Sequence, residues 1–258
     1  MVTRANAYDD PLIAAVYDLE NTGRADTDFY VGLAQNLGSS RVIDLGCGTG
    51  VLACELASRG HQVIGIDPAG AMLERARQRP GADRVEWIIG DAEALAAHRA
   101  DLVLMTGHVA QEIHDDDAWH MTLVSACRAL RPGGHLAFES HNPLLREWEQ
   151  WTPERTLQRL KDPMLGAVET WNVLLGVDAD LVRFESHNRL ASSGRDVVAR
   201  GALRFRSQRM IEAALVGAGF VVKHVYGDWR AGPVTPASGE LIFVAHAGAS
   251  GIMVGEQP

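Results

Sequence analysis

Residues 41–50, RVIDLGCGTG, decide the fold. Val42, Ile43 and Leu45 make a short apolar run that reads as a buried strand, and it leads into a loop with glycines at 46, 48 and 50. Directly behind, Val51, Leu52, Leu56 and Ala57 recur at helical spacing. Glycine tolerates positive φ and lets a ligand approach the backbone without meeting a Cβ. The start of the following helix leaves backbone N–H groups unpaired, which suits a polar or anionic ligand. A Gly-x-Gly-x-Gly loop by itself is a weak signal, because flexible turns produce it by chance. Asp44 just before the loop, with Asp67 and Asp91 at later strand ends, gives it weight.

Outward from this stretch, strand and helix patterns alternate. Helices are expected at 11–20 and 28–37. They are followed by strand 62–67, helix 69–79, strand 84–89, helix 91–97, strand 100–105, helix 116–130 and strand 135–140. Alternation with mainly apolar strands predicts an α/β fold, a parallel sheet wrapped by helices on both faces. Ligands of such sheets bind at the carboxyl ends of the strands. That rule makes Gly46, Asp67, Asp91, Thr106, Gly107, His108 and His141 neighbours. From residue 142 the pattern changes. Residues 143–161 read as an irregular helical cover carrying Trp148 and Trp151. Three period-two strands follow at 167–177, 180–190 and 196–205, an antiparallel insertion. Helix 207–217 and strands at 220–228 and 240–246 resume the main pattern. The glycine-rich tail, 248–258, is expected to be disordered. The pentapeptide FESHN occurs at 138–142 and again at 184–188, and is read as coincidence.

The composition narrows the function. A chain of 258 residues with 47% hydrophobic residues allows one large domain or a domain with an insertion. No apolar run approaches the ~18 to 20 residues of a membrane span. The first residues have no apolar core, so no signal peptide is expected and a cytoplasmic location is. A net charge of −9 argues against a nucleic-acid partner. Arg195, Arg200, Arg204, Arg206 and Arg209 read as a solvated face. Cysteines 47, 54 and 127 are odd in number and form no CxxC pair, so neither a disulfide framework nor a zinc site is implied.

Taken together, DLGCGTG at 44–50, GIDPAGAML at 65–73, GDAEAL at 90–95, LRPGG at 130–134 and the closing helix–strand–strand unit resemble the class I S-adenosylmethionine-dependent methyltransferases. The resemblance spans residues 17–141 and 205–246. It implies a doubly wound, mostly parallel seven-stranded sheet, with S-adenosyl-L-methionine as cofactor and S-adenosyl-L-homocysteine as product. In that family's manner Asp67, followed by Pro68, takes the ribose hydroxyls, and the same Asp-Pro also reads as a turn that starts a helix. Asp91, Ala92 and Glu93 match the adenine-edge position, and Asp91 equally reads as a helix N-cap. Met72 packs on adenine or belongs to the core. Asp44 orders the loop of Gly46, Cys47, Gly48 and Gly50 and approaches the ammonium of the methionine moiety, or it only braces the loop. Tyr17 covers the cofactor or is a core tyrosine. Thr106, Gly107 and Gln111 complete the cofactor set.

Methyl transfer is an in-line displacement, so a base belongs in the loops above the sheet, and histidine suits it by pKa. The candidates rank His108, His141, then His187. The run His114, Asp115, Asp116, Asp117 is better explained as helix N-cap and first-turn charge than as a metal site, and no metal is expected. Trp148, Trp151 and Trp171 line an acceptor pocket or simply bury the insertion. The expected layout is a methyltransferase domain at 1–141 and 205–247, with an insertion at 142–204 serving as acceptor pocket or homodimer contact. The acceptor is expected to be a small metabolite methylated on nitrogen or oxygen. Two alternatives stay open, a cofactor-binding protein with a non-methylating role and an NAD-dependent dehydrogenase.

Overall fold

The structure, a computed structural model, describes residues 7–248. The tail expected to be disordered lies, from residue 249 on, outside the described residues. Helices α1 (Pro11–Glu20) and α2 (Ala25–Asn36) come first. There follow β1 (Arg41–Leu45), α3 (Val51–Ser58), β2 (Gln62–Asp67), α4 (Gly70–Ala76), β3 (Val85–Ile89) and β4 (Ala100–Met105). Then come α5 (Val109–Glu112), α6 (Asp116–Ala129) and β5 (Leu130–His141). The chain continues through α7 (Pro153–Thr156), β6 (Gln158–Asp162), β7 (Gly166–Asp178), β8 (Leu181–Leu190) and β9 (Asp196–Arg204), and closes with α8 (Gln208–Gly217), β10 (Phe220–Tyr226) and β11 (Glu240–Ala247).

Seven strands form one sheet in the order β10-β11-β5-β4-β1-β2-β3, and β6-β7-β8-β9 form a second, antiparallel sheet. The first five strands of the large sheet are parallel, while β11 runs antiparallel between β5 and β10. Alternate residues of each strand feed opposite faces. Ile43, Val103, Leu136 and Phe243 enter a core with α6 and α8, whereas Val42, Leu102, Leu104 and Ala137 enter one with α2 and α3. Covering both faces is what makes the strands nearly continuous apolar runs.

Local chemistry places several boundaries. Asp10 accepts a hydrogen bond from the Leu12 N–H at 2.8 Å and Pro11 opens α1. Asp115 accepts from the Ala118 N–H at 2.9 Å and so caps α6, while Asp116 and Asp117 fill its first turn, the role expected for this acidic run.

Three expectations are corrected. The helical cover ends at α7, because residues 158–162 are the edge strand β6 paired with β7, so the insertion has four strands. The segment after Asp91 is a 3-10 helix at Ala92–Ala97. Arg204 and Arg206 are no solvated face. Arg206 is 3% exposed, donates to the carbonyls of Ala110 and Ile113, and lies over the Trp119 ring. Helix α5 is a single turn whose carbonyls need donors, and Arg206 supplies them, while Arg204 donates to the His114 carbonyl just beyond and pairs with Asp180 and Asp116. Trp148 and Trp151 pack on Phe205 and help bury the insertion, and Trp171 stacks on His187 instead.

Candidate active site

The three glycines of the loop do different work. A Cβ on Gly46 would lie 2.3 Å from Val109, and one on Gly50 would lie 2.5 Å from Trp87, so close packing requires both to be glycine. Gly48 has φ +52° and nothing within 4 Å of where its Cβ would be. Its side of the loop is the open one. The loop is anchored to β2 by the Gly46 and Cys47 N–H groups, which donate to the Ile66 carbonyl at 2.7 and 3.1 Å.

Carboxylates surround this opening. Asp44 at the end of β1 is 1% exposed, and neither of its oxygens has a hydrogen-bond partner among the described residues. Burial, then the charges of Asp67 and Glu139, push its pKa up to about 7. Asp67 accepts from the Gly48 N–H at 2.8 Å and the Ala69 N–H at 2.8 Å, so it both braces the loop and starts α4. Its oxygens keep further lone pairs for other donors. Asp91 caps its 3-10 helix by accepting from the Glu93 N–H at 2.9 Å. Met72 is buried against Ala14, Ala69 and Tyr17.

Helix α1 closes over the loop. Tyr17 places its hydroxyl 3.3 Å from the position a Cβ on Gly107 would take, and burial, then Glu139 and Asp67, push its pKa up to about 12. Asp18 accepts from the Thr49 hydroxyl at 2.5 Å and pairs with Arg79, whose Nε donates to the Thr49 carbonyl at 2.5 Å. Nothing in the local pattern flags Asp18 and Arg79, because 61 residues separate them. Only Tyr17 pointed to this end of α1.

At the same end of the sheet, His108 follows β4 in the left-handed conformation, φ 62°. The carboxylate of Glu139, on β5, holds it there by accepting its N–H at 2.8 Å, and also accepts from the Tyr30 hydroxyl at 2.5 Å. The imidazole stacks on that of His141, with ring centroids 3.7 Å apart and planes 5° from parallel. His108 Nε2 lies 3.2 and 3.1 Å from the two carboxylate oxygens of Glu240. Burial alone would lower the His108 pKa, but the Glu240 hydrogen bond and the charges of Glu139 and Glu240 outweigh it and raise it. Burial, then the charge on His108, lowers His141 to about 3. His141 Nδ1 is 2.7 Å from the Gln111 Oε1, which accepts. Gln111 is 1% exposed and its amide also reaches the Arg204 carbonyl at 3.4 Å, so its polar atoms brace the site from behind.

Of the sequence candidates, the structure thus brings His108 and His141 into contact. His187 lies on the second sheet, paired with Asp196 at 3.2 Å and stacked on Trp171. Glu139, Glu240 and Tyr30 went unnoticed in the sequence. The available signal was an acidic residue in each of two otherwise apolar strand patterns, HLAFES and ELIFVAH.

The fold and the loop define a doubly wound α/β protein with its glycine loop at the strand ends, and comparison with known proteins narrows the class. Residues 42–134 match a methyltransferase domain family. A ubiquinone biosynthesis O-methyltransferase of Acinetobacter baumannii is 34% identical over 113 residues, covering 42% of this chain and 47% of that protein. Such stretches cover 24% to 47% of the first two curated relatives' own lengths. Among solved structures, an S-adenosylmethionine-dependent methyltransferase from Clostridium acetobutylicum superposes with a TM-score of 0.74 at 16% identity, covering 95% of this chain and all (100%) of that one. An amino pentose methyltransferase from Micromonospora echinaspora, solved with S-adenosylmethionine bound, gives 0.66 at 23% identity, covering 90% and 96%. Residues 42–134 thus carry a methyltransferase domain, and the chain as a whole has the fold of the class I S-adenosylmethionine-dependent methyltransferases.

Proposed function

We propose that the chain binds S-adenosyl-L-methionine at the 44–50 loop and transfers its methyl group to a nitrogen or oxygen of a small metabolite, releasing S-adenosyl-L-homocysteine. The observation that carries this reading is Asp44. A buried carboxylate with both oxygens unpartnered costs free energy unless a ligand completes it. An ammonium group is the ligand chemistry that fits. The donor supplies an electrophilic methyl on a sulfonium. In this reading Asp44 holds the ammonium, Asp67 and the backbone from Pro68 take the ribose, and Asp91, Ala92 and Glu93 meet the adenine edge with Met72 beneath. Gly48 provides the open approach, and Tyr17, Thr106 and Gly107 close the pocket. Gln111 acts through His141.

The base falls to His108, with His141 stacked behind it. The carboxylate of Glu240 orients His108 and stabilises its protonated form, as a partner carboxylate does for a general base. Residues 142–204 form the acceptor-facing insertion on residues 1–141 and 205–247, and apolar side chains exposed on its strands, Leu175, Val177 and Val198, suit a homodimer contact. No described helix is long and apolar enough to cross a membrane. The three free cysteines suit a reducing compartment, which favours the cytoplasm.

Titration calorimetry with S-adenosylhomocysteine and with NADH tests the cofactor, and a screen of metabolite pools for acceptor-dependent S-adenosylhomocysteine release tests the activity. Heat with NADH alone would overturn the reading. Cofactor binding without release against any pool would leave a non-methylating role.

A further inference from the structure

We propose that His108, His141 and Glu240 form a binding site for one divalent transition-metal ion of the Zn²⁺ class. Each offers one ligand atom, and these atoms all lie within 4.8 Å of one another, half-buried. The three come from the β4–α5 turn, the end of β5 and the start of β11, three chain segments that meet at one end of the large sheet.

Two imidazoles and one carboxylate, with positions left over, are a donor set for Zn²⁺, Co²⁺ or Fe²⁺ rather than for Mg²⁺, which prefers oxygen ligands. The 3.1 and 3.2 Å between His108 Nε2 and the Glu240 oxygens match neighbouring ligands on one ion, given metal–ligand bonds of about 2.0–2.2 Å. The His141 tautomer is already set for ligation. Because the Gln111 Oε1 can only accept, His141 Nδ1 carries the proton and Nε2 keeps its lone pair. A hydrogen bond on the far ring nitrogen is the usual support of a metal-binding histidine. Glu147 stands 3.7 Å from that Nε2, outside the three ligand atoms that lie together. Charge points the same way. Glu240 lies against His108 and Glu147 beside His141, with Glu139 accepting the His108 backbone N–H behind them, so carboxylates border the two imidazoles. The rings now lie parallel with their Nε2 lone pairs in separate planes, so seating an ion requires at least one imidazole to turn by some tens of degrees out of the stack until both lone pairs converge.

Binding would stand whether or not the chain transfers methyl groups. If it does, an ion here would sit at the same sheet end as Asp44 and would activate an acceptor hydroxyl in place of the His108 base, a role that rests on the methyl-transfer reading.

The test uses the tag-free full chain, stripped with chelator and titrated with Co²⁺, Zn²⁺ and Mg²⁺. Readouts are the visible absorption of Co²⁺, metal content after gel filtration, and the shift in melting temperature. One Co²⁺ or Zn²⁺ per chain is expected, with Mg²⁺ at least tenfold weaker. Glu240→Gln, which leaves His108 a hydrogen-bond acceptor, and His141→Ala should each weaken binding at least tenfold. Their metal-free melting curves report whether they fold, and Gln111→Leu, which frees the His141 tautomer without removing a ligand, gives a milder loss if either variant does not. Less than half an equivalent at tens of micromolar Co²⁺ and Zn²⁺ overturns the proposal. So does binding that all three variants retain, and His108–Glu240 is then an ion pair only.

Discussion

Two carboxylates at the tips of β1 and β5 are equally buried and differently employed. Asp44 and Glu139 are each 1% exposed, and burial raises both pKa values. Glu139 accepts from the Tyr30 hydroxyl and the His108 N–H, and so ties α2 and the turn before α5 to the sheet. Asp44 accepts from nothing among the described residues. The same chemical group at the same depth is a strut in one place and lacks hydrogen-bond partners in the other. Burial of a charge alone therefore does not single out a candidate binding residue, whereas burial with its hydrogen bonds missing does.

Four experiments test that contrast. The largest effect is expected from Glu139→Ala, which leaves a buried hydroxyl and a buried N–H without their acceptor. About 2–5 kcal/mol of folding stability should be lost, read by urea denaturation. Asp44→Asn should leave folding stability unchanged or higher and cost about 1.5–3 kcal/mol of S-adenosylhomocysteine affinity, read by calorimetry. If stability falls as far as in Glu139→Ala, the contrast is broken. Asp67→Ala should cost about 1.5–3 kcal/mol of affinity and about 1–3 kcal/mol of stability together, since it serves loop and ligand.

The smallest effect is one of pH. The Asp44 pKa rises from an ordinary value near 4 in the unfolded chain to about 7 in the fold. Its contribution to stability is then full below about pH 4 and is lost as the pH climbs to about 7. The ligand-free melting temperature of the parent should thus fall relative to that of Asp44→Asn between those values. Because an ammonium favours the ionised form, S-adenosylhomocysteine affinity should rise over the upper part of the same window. A parent and variant that track each other would remove Asp44 from the account.

How much of this was legible depended on distance along the chain. The loop, Asp67 and Asp91 stand in contiguous strings whose hydrophobic period and glycines announce strand, turn and helix, so the sheet and its glycine loop were readable. Edge strand β6 was not. Residues 158–162, QRLKD, alternate weakly, and only pairing with β7 makes them a strand. The histidine cluster was half readable, because His108 and His141 sit at predicted strand ends while Glu240 lies 132 residues from His108. Arg206 misled outright. A guanidinium reads as solvent-facing until the carbonyls of a one-turn helix are found waiting for it.

Asp18, Thr49 and Arg79 carry a last consequence. Helix α1 is fastened over the glycine loop by an ion pair whose members keep about a quarter of their side chains in water, 27% and 26%. A fastening so open to counter-ions is screened by salt. If the proposed spent nucleoside leaves past α1, its egress is a step that salt accelerates, and turnover limited by that release would climb with ionic strength where a chemistry-limited rate would stay flat.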